Sequence, residues 1–275
     1  MNDVKLSKLL RQFFIEDIGE RDITSESIFP AEIRGKAEFV TKEDGIIAGI
    51  DMIRAAYAIL DLTIEVTVRK KDGEATNKGE IIATVEGPMA ILLTGERVIL
   101  NLLQRMSGIA TATNQAVLAL NSTHTRICDT RKTSPGLRMF EKYAVTCGGG
   151  FNHRIGLYDG VMIKDNHIAF CGSITKAVTK VREKIGQMVK IEVETETREQ
   201  VVEAVDAGAD IIMFDNRTPA EIKDFITLVP KHIVTEASGG ITMNDLHEYG
   251  DTGVDYISLG FLTHSVKALD ISLRV

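Results

Sequence analysis

The chain has 275 residues, 44% of them hydrophobic, and carries 32 Lys and Arg against 39 Asp and Glu, a formal charge of 32 − 39 = −7. That length and composition support a large buried core and exclude a disordered chain, and the acidic balance excludes the broad basic face that nucleic acid requires. No apolar run reaches the roughly 18 residues of a membrane span, so neither nucleic acid nor membrane is expected as a partner. Cys128, Cys147 and Cys171 lack CxxC spacing in a chain too long to need disulfide staples, which points to buried thiols, a reducing cytoplasm and no zinc site. The amphipathic, soon acidic first residues lack a signal peptide's apolar core.

In chain order, Val4, Leu6, Leu9, Leu10, Phe13 and Phe14 recur at approximate helical spacing and predict a short helix over 4–14 that packs on the body or on a second subunit. Residues 32–86 change to β texture. Segments 35–41, 63–70 and 81–85 are separated by Asp44-Gly45, Asp72-Gly73 and Lys78-Gly79, which read as turns. With a helix at 51–60, this predicts a small α+β domain on an antiparallel sheet. After Pro88 comes a long helical stretch in which Gly108 marks a break, and Arg97 reads as a solvated helix charge.

Beyond Asn121, short apolar runs alternate with helical patterns, the behaviour of βα units. The predicted strands are 126–129, 160–164, 189–194, 210–215, 232–238 and 255–260. Thr197 and Gln200, and Thr218 and Glu221, form capping boxes, the second with Pro219 at the first helical position. Ser173 opens a helix whose Ile174, Val178, Val181 and Ile185 form one apolar stripe stopped by Gly186.

Each predicted strand is apolar until its end and then stops on residues capable of chemistry. These ends are Asp129-Thr130-Arg131-Lys132, Lys164-Asp165, Glu194, Asp215-Asn216, Ser238-Gly239-Gly240 and Gly260. In a parallel α/β barrel the carboxyl ends of the strands form the active-site face, so six polar ends converge on one mouth. Ordinary strand-end polarity explains the polar residues but not their sorting into two cationic, two carboxylate and two glycine-rich ends.

Arg131 and Arg154 offer planar forks for carboxylate or phosphate, and Lys132 and Lys164 compact charges. His153 stands beside them, and the Gly148–Gly150 run would let backbone approach a ligand. Glu194 and Asp215 end successive strands and could hold Mg²⁺ or accept from sugar hydroxyls. Glu192 shares the phase of Glu194 and could share its role, while an ion pair with a neighbouring lysine is the plainer alternative. Ser238, Gly239 and Gly260 fall on the last two strand ends, where barrels commonly bind phosphate. His167 reads as a loop buttress. A Schiff-base aldolase using Lys164 and a phosphate-ligand binding module remain open on these residues alone.

The stretch DTRKTSPGLRMFEKYAVTCGGGFNHRIGLYDGVMIKDNH resembles the signature of the quinolinate phosphoribosyltransferase family. GERDITSE, GERVILNLLQRMSGIAT, IEVETETREQ, IIMFDN, EASGGI and DYISLGFLTHS also look like family segments, with Thr195 a mild departure where many members read EVEV. The resemblance implies a small N-terminal α/β sandwich (1–110, completed by 265–275) and an incomplete parallel α/β barrel (111–264). It implies that quinolinate and phosphoribosyl pyrophosphate become nicotinate mononucleotide, pyrophosphate and CO₂, with Mg²⁺ as cofactor. Substrate contacts then fall to Thr130, Arg131, Lys132, His153, Arg154, Lys164, Glu194, Asp215, Ser238, Gly239 and Gly260. Lys132, Lys164, Glu194 and Asp215 become catalytic, and Glu194 and Asp215 face the metal directly or through substrate or water. Arg97 matches an arginine that reaches a neighbouring subunit's site, which implies a dimer or a larger assembly of dimers. A molybdenum-associated homologue of the same fold is opposed by the full basic set.

Overall fold

The computed structural model describes residues 1–275. The chain forms two compact units, Met1–Asn114 with Ser134–Gly149 and Ser265–Val275, and Gln115–Thr133 with Gly150–His264.

The first unit holds β1 (Arg34–Thr41), β2 (Gly45–Ile46), β3 (Glu65–Val68), β4 (Ala75–Thr76) and β5 (Ile81–Pro88), with β12 (Ile271–Arg274) from the chain's end. Its antiparallel sheet runs β12-β1-β5-β3, so the last residues complete it. The helix predicted over 4–14 extends over Asp3–Ile18, begun where the Asn2 side chain accepts from the N–H of Lys5, and it buries Leu6, Leu10 and Phe14. These join Phe39, Tyr57, Ile82 and Ile99 in one hydrophobic core.

Three expectations are corrected here. Gly45 starts β2, which pairs with β4, so Asp44-Gly45 is not a hairpin turn. Met89–Leu120 is one uninterrupted helix. Gly108 is small for a packing reason, since a Cβ there would lie 2.2 Å from the Lys267 carbonyl oxygen. Gly148, expected to approach a ligand, instead packs on the long helix, where a Cβ would lie 2.4 Å from the Ala110 carbonyl oxygen. Gly149 has φ +89, a conformation suited to glycine as the chain leaves the helix Arg138–Cys147.

The second unit contains β6 (Arg126–Cys128), β7 (Val161–Ile163), β8 (Ile191–Thr195), β9 (Ile211–Asp215), β10 (Val234–Ser238) and β11 (Tyr256–Ser258). They form a parallel sheet in the order β6-β11-β10-β9-β8-β7. β6 and β7, consecutive in the chain, are its two edges, and the ladder between them is missing, which is the expected incomplete barrel. Strand alternation separates the two faces. Ile191, Val193, Ile212, Phe214, Ala237 and Ile257 are buried on one face, while Glu192, Glu194, Met213, Asp215, Glu236, Ser238 and Ser258 occupy the alternate positions. Crossover helices start as the capping signals predict, at Thr197 and Thr218 with both boxes formed and at Ser173. The helix after Ser173 ends at Arg182, short of Ile185. Cys128 is buried, whereas Cys147 and Cys171 are half-buried. No helix is long and apolar enough to cross a membrane.

Candidate active site

Six strand ends of the second unit surround a cavity of about 510 Å³. It is lined by Thr130, Arg131, Lys132, His153, Arg154, Lys164, Glu194, Asp215, Ser238 and Gly239, ten of the twelve residues expected from sequence, together with Met162, Met213, Asn216, Gly240 and Ser258. Gly260 lines a cavity of about 520 Å³ that shares Thr130, Lys132, Ser238 and Gly239 with the first. Arg97 lies exposed on the long helix of the first unit and lines neither cavity.

The cationic wall is held by backbone. The N–H of Lys132 donates to Thr130 Oγ1 at 3.0 Å, and the Lys132 carbonyl accepts from Thr263 Oγ1 at 2.8 Å. A Cβ at Gly260 would come within 3.1 Å of the Lys132 stem, so glycine there leaves room for that side chain. Arg154 Nη1 donates to the Gly160 carbonyl at 3.1 Å. Burial, and then the nearby charge of Arg131, oppose the charged form of Arg154 and lower its pKa. Two guanidinium groups kept close against their mutual repulsion form a receptor for an anion.

Facing this wall, Lys164 and Glu194 form an ion pair. The N–H of Lys164 donates to His167 Nδ1 at 3.0 Å, so His167 caps the turn, as its reading from sequence suggests. Asp215 accepts from Asn216 Nδ2 at 2.6 Å. Burial raises the Asp215 carboxyl above its ordinary value, while Lys164 and Asn216 pull it the other way. Asn216 was not singled out as a site residue; it has φ +53, and its N–H donates to the Ser238 carbonyl at 2.8 Å. The signal that could have found it was Asn directly after a strand-end carboxylate, a residue that tolerates the left-handed region. Ser258, Met162 and Met213 could likewise have been found by counting back two residues from Gly260, Lys164 and Asp215.

Glu194 and Asp215 present hard oxygen donors without a histidine or a third carboxylate in a ligating cluster. That donor set suits Mg²⁺ carried mainly by substrate oxygens, because Mg²⁺ retains waters and takes one or two carboxylates. Glu192 does not line the pocket. It is buried in the barrel interior, where its Oε2 lies 3.0 Å from His153 Nε2. His153 is fixed by its N–H donating to buried Asp129 at 2.9 Å, and its Nδ1 accepts from the N–H of Arg154 at 2.7 Å.

A parallel α/β barrel whose mouth sets four cations against two carboxylates, beside glycine-rich loops, defines an enzyme built for a multiply anionic, phosphate-bearing small molecule. Residues 22–107 match the model of the quinolinate phosphoribosyl transferase N-terminal domain, and residues 109–274 that of its C-terminal domain. The chain belongs to the quinolinate phosphoribosyl transferase family. It is 58% identical over 275 residues to a probable nicotinate-nucleotide pyrophosphorylase [carboxylating] of Bacillus subtilis, covering 100% of this chain and 95% of that protein. It is 41% identical to the mitochondrial quinolinate phosphoribosyltransferase [decarboxylating] 2b of Nicotiana tabacum, covering 98% and 82% of the two chains. The crystal structure of NadC from Streptococcus pyogenes superposes with a TM-score of 0.96 at 38% identity, covering 100% of this chain and 97% of that one.

Proposed function

We propose that this protein transfers the phosphoribosyl group of phosphoribosyl pyrophosphate to quinolinate, releasing pyrophosphate and CO₂ and forming nicotinate mononucleotide for NAD biosynthesis. The observation that carries the reading is the sorted pocket, with Arg131, Lys132, Arg154 and Lys164 facing Glu194 and Asp215 in one cavity. The cationic side chains hold the two ring carboxylates so that the ring nitrogen faces the anomeric carbon, a positioning contribution. Glu194 and Asp215 stabilise the positive charge that develops on the sugar as pyrophosphate leaves. Lys164 exchanges its partner Glu194 for a substrate carboxylate, which frees Glu194 for the sugar. Ser238, Gly239 and Gly260 receive the 5′-phosphate on backbone N–H groups. Glu194 and Asp215 would hold Mg²⁺ directly or through substrate or water, and the ion would supply charge neutralisation to the departing pyrophosphate.

Incubation of the protein with quinolinate, phosphoribosyl pyrophosphate and Mg²⁺ is expected to give nicotinate mononucleotide and CO₂ in equal amounts. Folded protein yielding neither above background sinks the reading.

We further place the enzyme in the cytoplasm as a homodimer or a larger assembly of dimers, with Arg97 acting in the neighbouring subunit. Arg97 stands exposed and outside the pocket cavities of its own chain. Mixing Arg97→Ala with Lys132→Ala is expected to restore up to about a quarter of wild-type activity, since random pairing makes about half of the dimers heterodimers and each of these has one intact site of its two. No recovery, with subunit exchange demonstrated by mass, refutes action in trans.

A further inference from the structure

His153 is held from two sides by the protein itself. On one side its main chain is clipped to β6, where Phe151 pairs in parallel with Cys128. The N–H of Phe151 donates to the Ile127 carbonyl at 2.9 Å, and the N–H of Asp129 donates to the Phe151 carbonyl at 3.1 Å. The N–H of His153 then donates to the fully buried Asp129 carboxylate at 2.9 Å. The ring therefore starts from a fixed point. On the other side Glu192 reaches it from β8, where it lies in register between Met162 of β7 and Ile211 of β9. Glu192 is only 3% exposed, and its Oε2 lies 3.0 Å from His153 Nε2. Glu236 Oε2 stands 3.6 Å from the same nitrogen, beyond hydrogen-bond distance.

These contacts define the ring's protonation pattern. A backbone N–H can only donate, so His153 Nδ1, which accepts from the N–H of Arg154 at 2.7 Å, presents its lone pair. The proton of the neutral ring is then on Nε2 and points at Glu192. With the proton on Nδ1 instead, two donors would face each other across 2.7 Å and the Nε2 lone pair would face a carboxylate oxygen. Both contacts would turn repulsive, so the acceptor at Glu192 selects the tautomer. The same tautomer leaves Nε2 no lone pair for a metal, although ligand atoms of His153, Glu192 and Glu236 lie within 4.8 Å of one another.

The tautomer matters at Arg154, which lines the substrate pocket. Its main chain is pinned by His153 Nδ1, and its Nη1 is pinned by the Gly160 carbonyl. An arginine fixed at both ends presents its remaining N–H donors in one direction and loses little freedom when an anion arrives.

We propose that Glu192 is a positioning residue that fixes His153 in the Nε2–H tautomer and thereby aims Arg154 at the anionic substrate. The identity of that anion rests on the quinolinate reading above. Both ring nitrogens of His153 are engaged by protein groups, so the histidine acts as a strut from β8 to the Arg154 main chain, and the guanidinium meets the ring carboxylate. The rival is direct action by charge, because Glu192 favours the charged form of Arg154 against the larger opposing effects of burial and Arg131. Glutamine separates the two, since it keeps an acceptor oxygen and removes the charge.

Nitrogen NMR of the ¹⁵N-histidine-labelled protein, with the His153 signals assigned by their loss in His153→Gln, is expected to show a neutral ring protonated on Nε2. A proton on Nδ1, or a charged ring at pH 8, overturns the proposal without any variant of Glu192. Glu192→Leu is expected to lose that signature and to raise KM for quinolinate about tenfold, the effect of one misplaced charge-assisted contact, with KM for phosphoribosyl pyrophosphate unchanged. Glu192→Gln should restore the signature and most of the affinity. Glutamine behaving like leucine assigns the effect to charge, and an equal rise in both KM values marks a merely structural role; either result overturns the proposal, as does a wild-type KM in Glu192→Leu. If Glu192→Leu does not fold, the signatures of the wild type and of Glu192→Gln decide. Failure of the wild type to form nicotinate mononucleotide would instead refute the quinolinate reading, and the tautomer would still be read.

Discussion

Arg154→Ala is expected to lower kcat/KM for quinolinate by on the order of 10²–10³-fold, since truncating one member of a desolvated charge pair costs about 2–5 kcal/mol and each 1.4 kcal/mol is tenfold. KM for phosphoribosyl pyrophosphate should change little, because Arg154 lines the part of the pocket shared with His153 and not the cavity that contains Gly260. The size of the effect follows from how the side chain is held. Its Nη1 is anchored to Gly160, so little freedom is lost when an anion arrives. Burial and Arg131 disfavour its charged form, and an incoming carboxylate relieves that cost. Arg154→Lys restores a charge without the planar fork and should recover only part of the loss. Steady-state kinetics with each substrate varied in turn checks both variants. A loss shared equally between the two substrates would show that Arg154 supports the whole site and does not select the ring carboxylates.

Legibility followed the physics of each element. The strand-end residues of the barrel could be read because alternation fixes their direction. Once 191–195 is a strand with Ile191 and Val193 packed on one face, Glu194 at its end must face the other way. Glu192 obeys the same rule, yet it lies one pair of residues deeper and reaches the interior, and depth along a strand has no signature in a period-two pattern. The basic residues of 126–167 were harder to apportion. Arg138 and Lys142 sit in the same sequence cluster as Arg131 and Lys132, but they lie on the helix Arg138–Cys147 of the first unit, where Lys142 is only 2% exposed. The fully buried Glu141 there accepts from Arg105 Nε at 2.8 Å and from the N–H of Ser134 at 3.2 Å. A count of basic residues along 126–167 therefore does not give the size of the anion site. Gly108 and Gly148 misled for a related reason. Local propensity reads glycine as a break or a hinge, whereas both positions are set by a carbonyl group from elsewhere in the chain, a contact that no local pattern encodes. Asn216 was passed over because its role depends on a left-handed backbone and on the neighbouring loop.

That neighbouring loop supports the second large effect. Gly239 has φ +91, a region that costs an L-residue on the order of 1–2 kcal/mol. A Cβ there would also lie 2.3 Å from Asn216 Oδ1 and 2.8 Å from the Asn216 backbone nitrogen. The side-chain oxygen could rotate away, but only by moving the Asn216 amide that holds Asp215. The nitrogen could retreat only by loosening its bond to the Ser238 carbonyl. Gly239→Ala is therefore expected to destabilise the protein by about 2–4 kcal/mol and to raise KM for phosphoribosyl pyrophosphate at least about tenfold, the effect of losing one charge-assisted contact. Gly240→Ala is the matched control. Its φ is +66, but nothing lies within 4 Å of the added methyl group, so only the backbone cost remains, about 1 kcal/mol. Urea denaturation and kinetics on the two variants separate crowding from backbone strain. Equal losses of stability and equal KM values would mean that the contact between Gly239 and Asn216 does not set the geometry of Asp215.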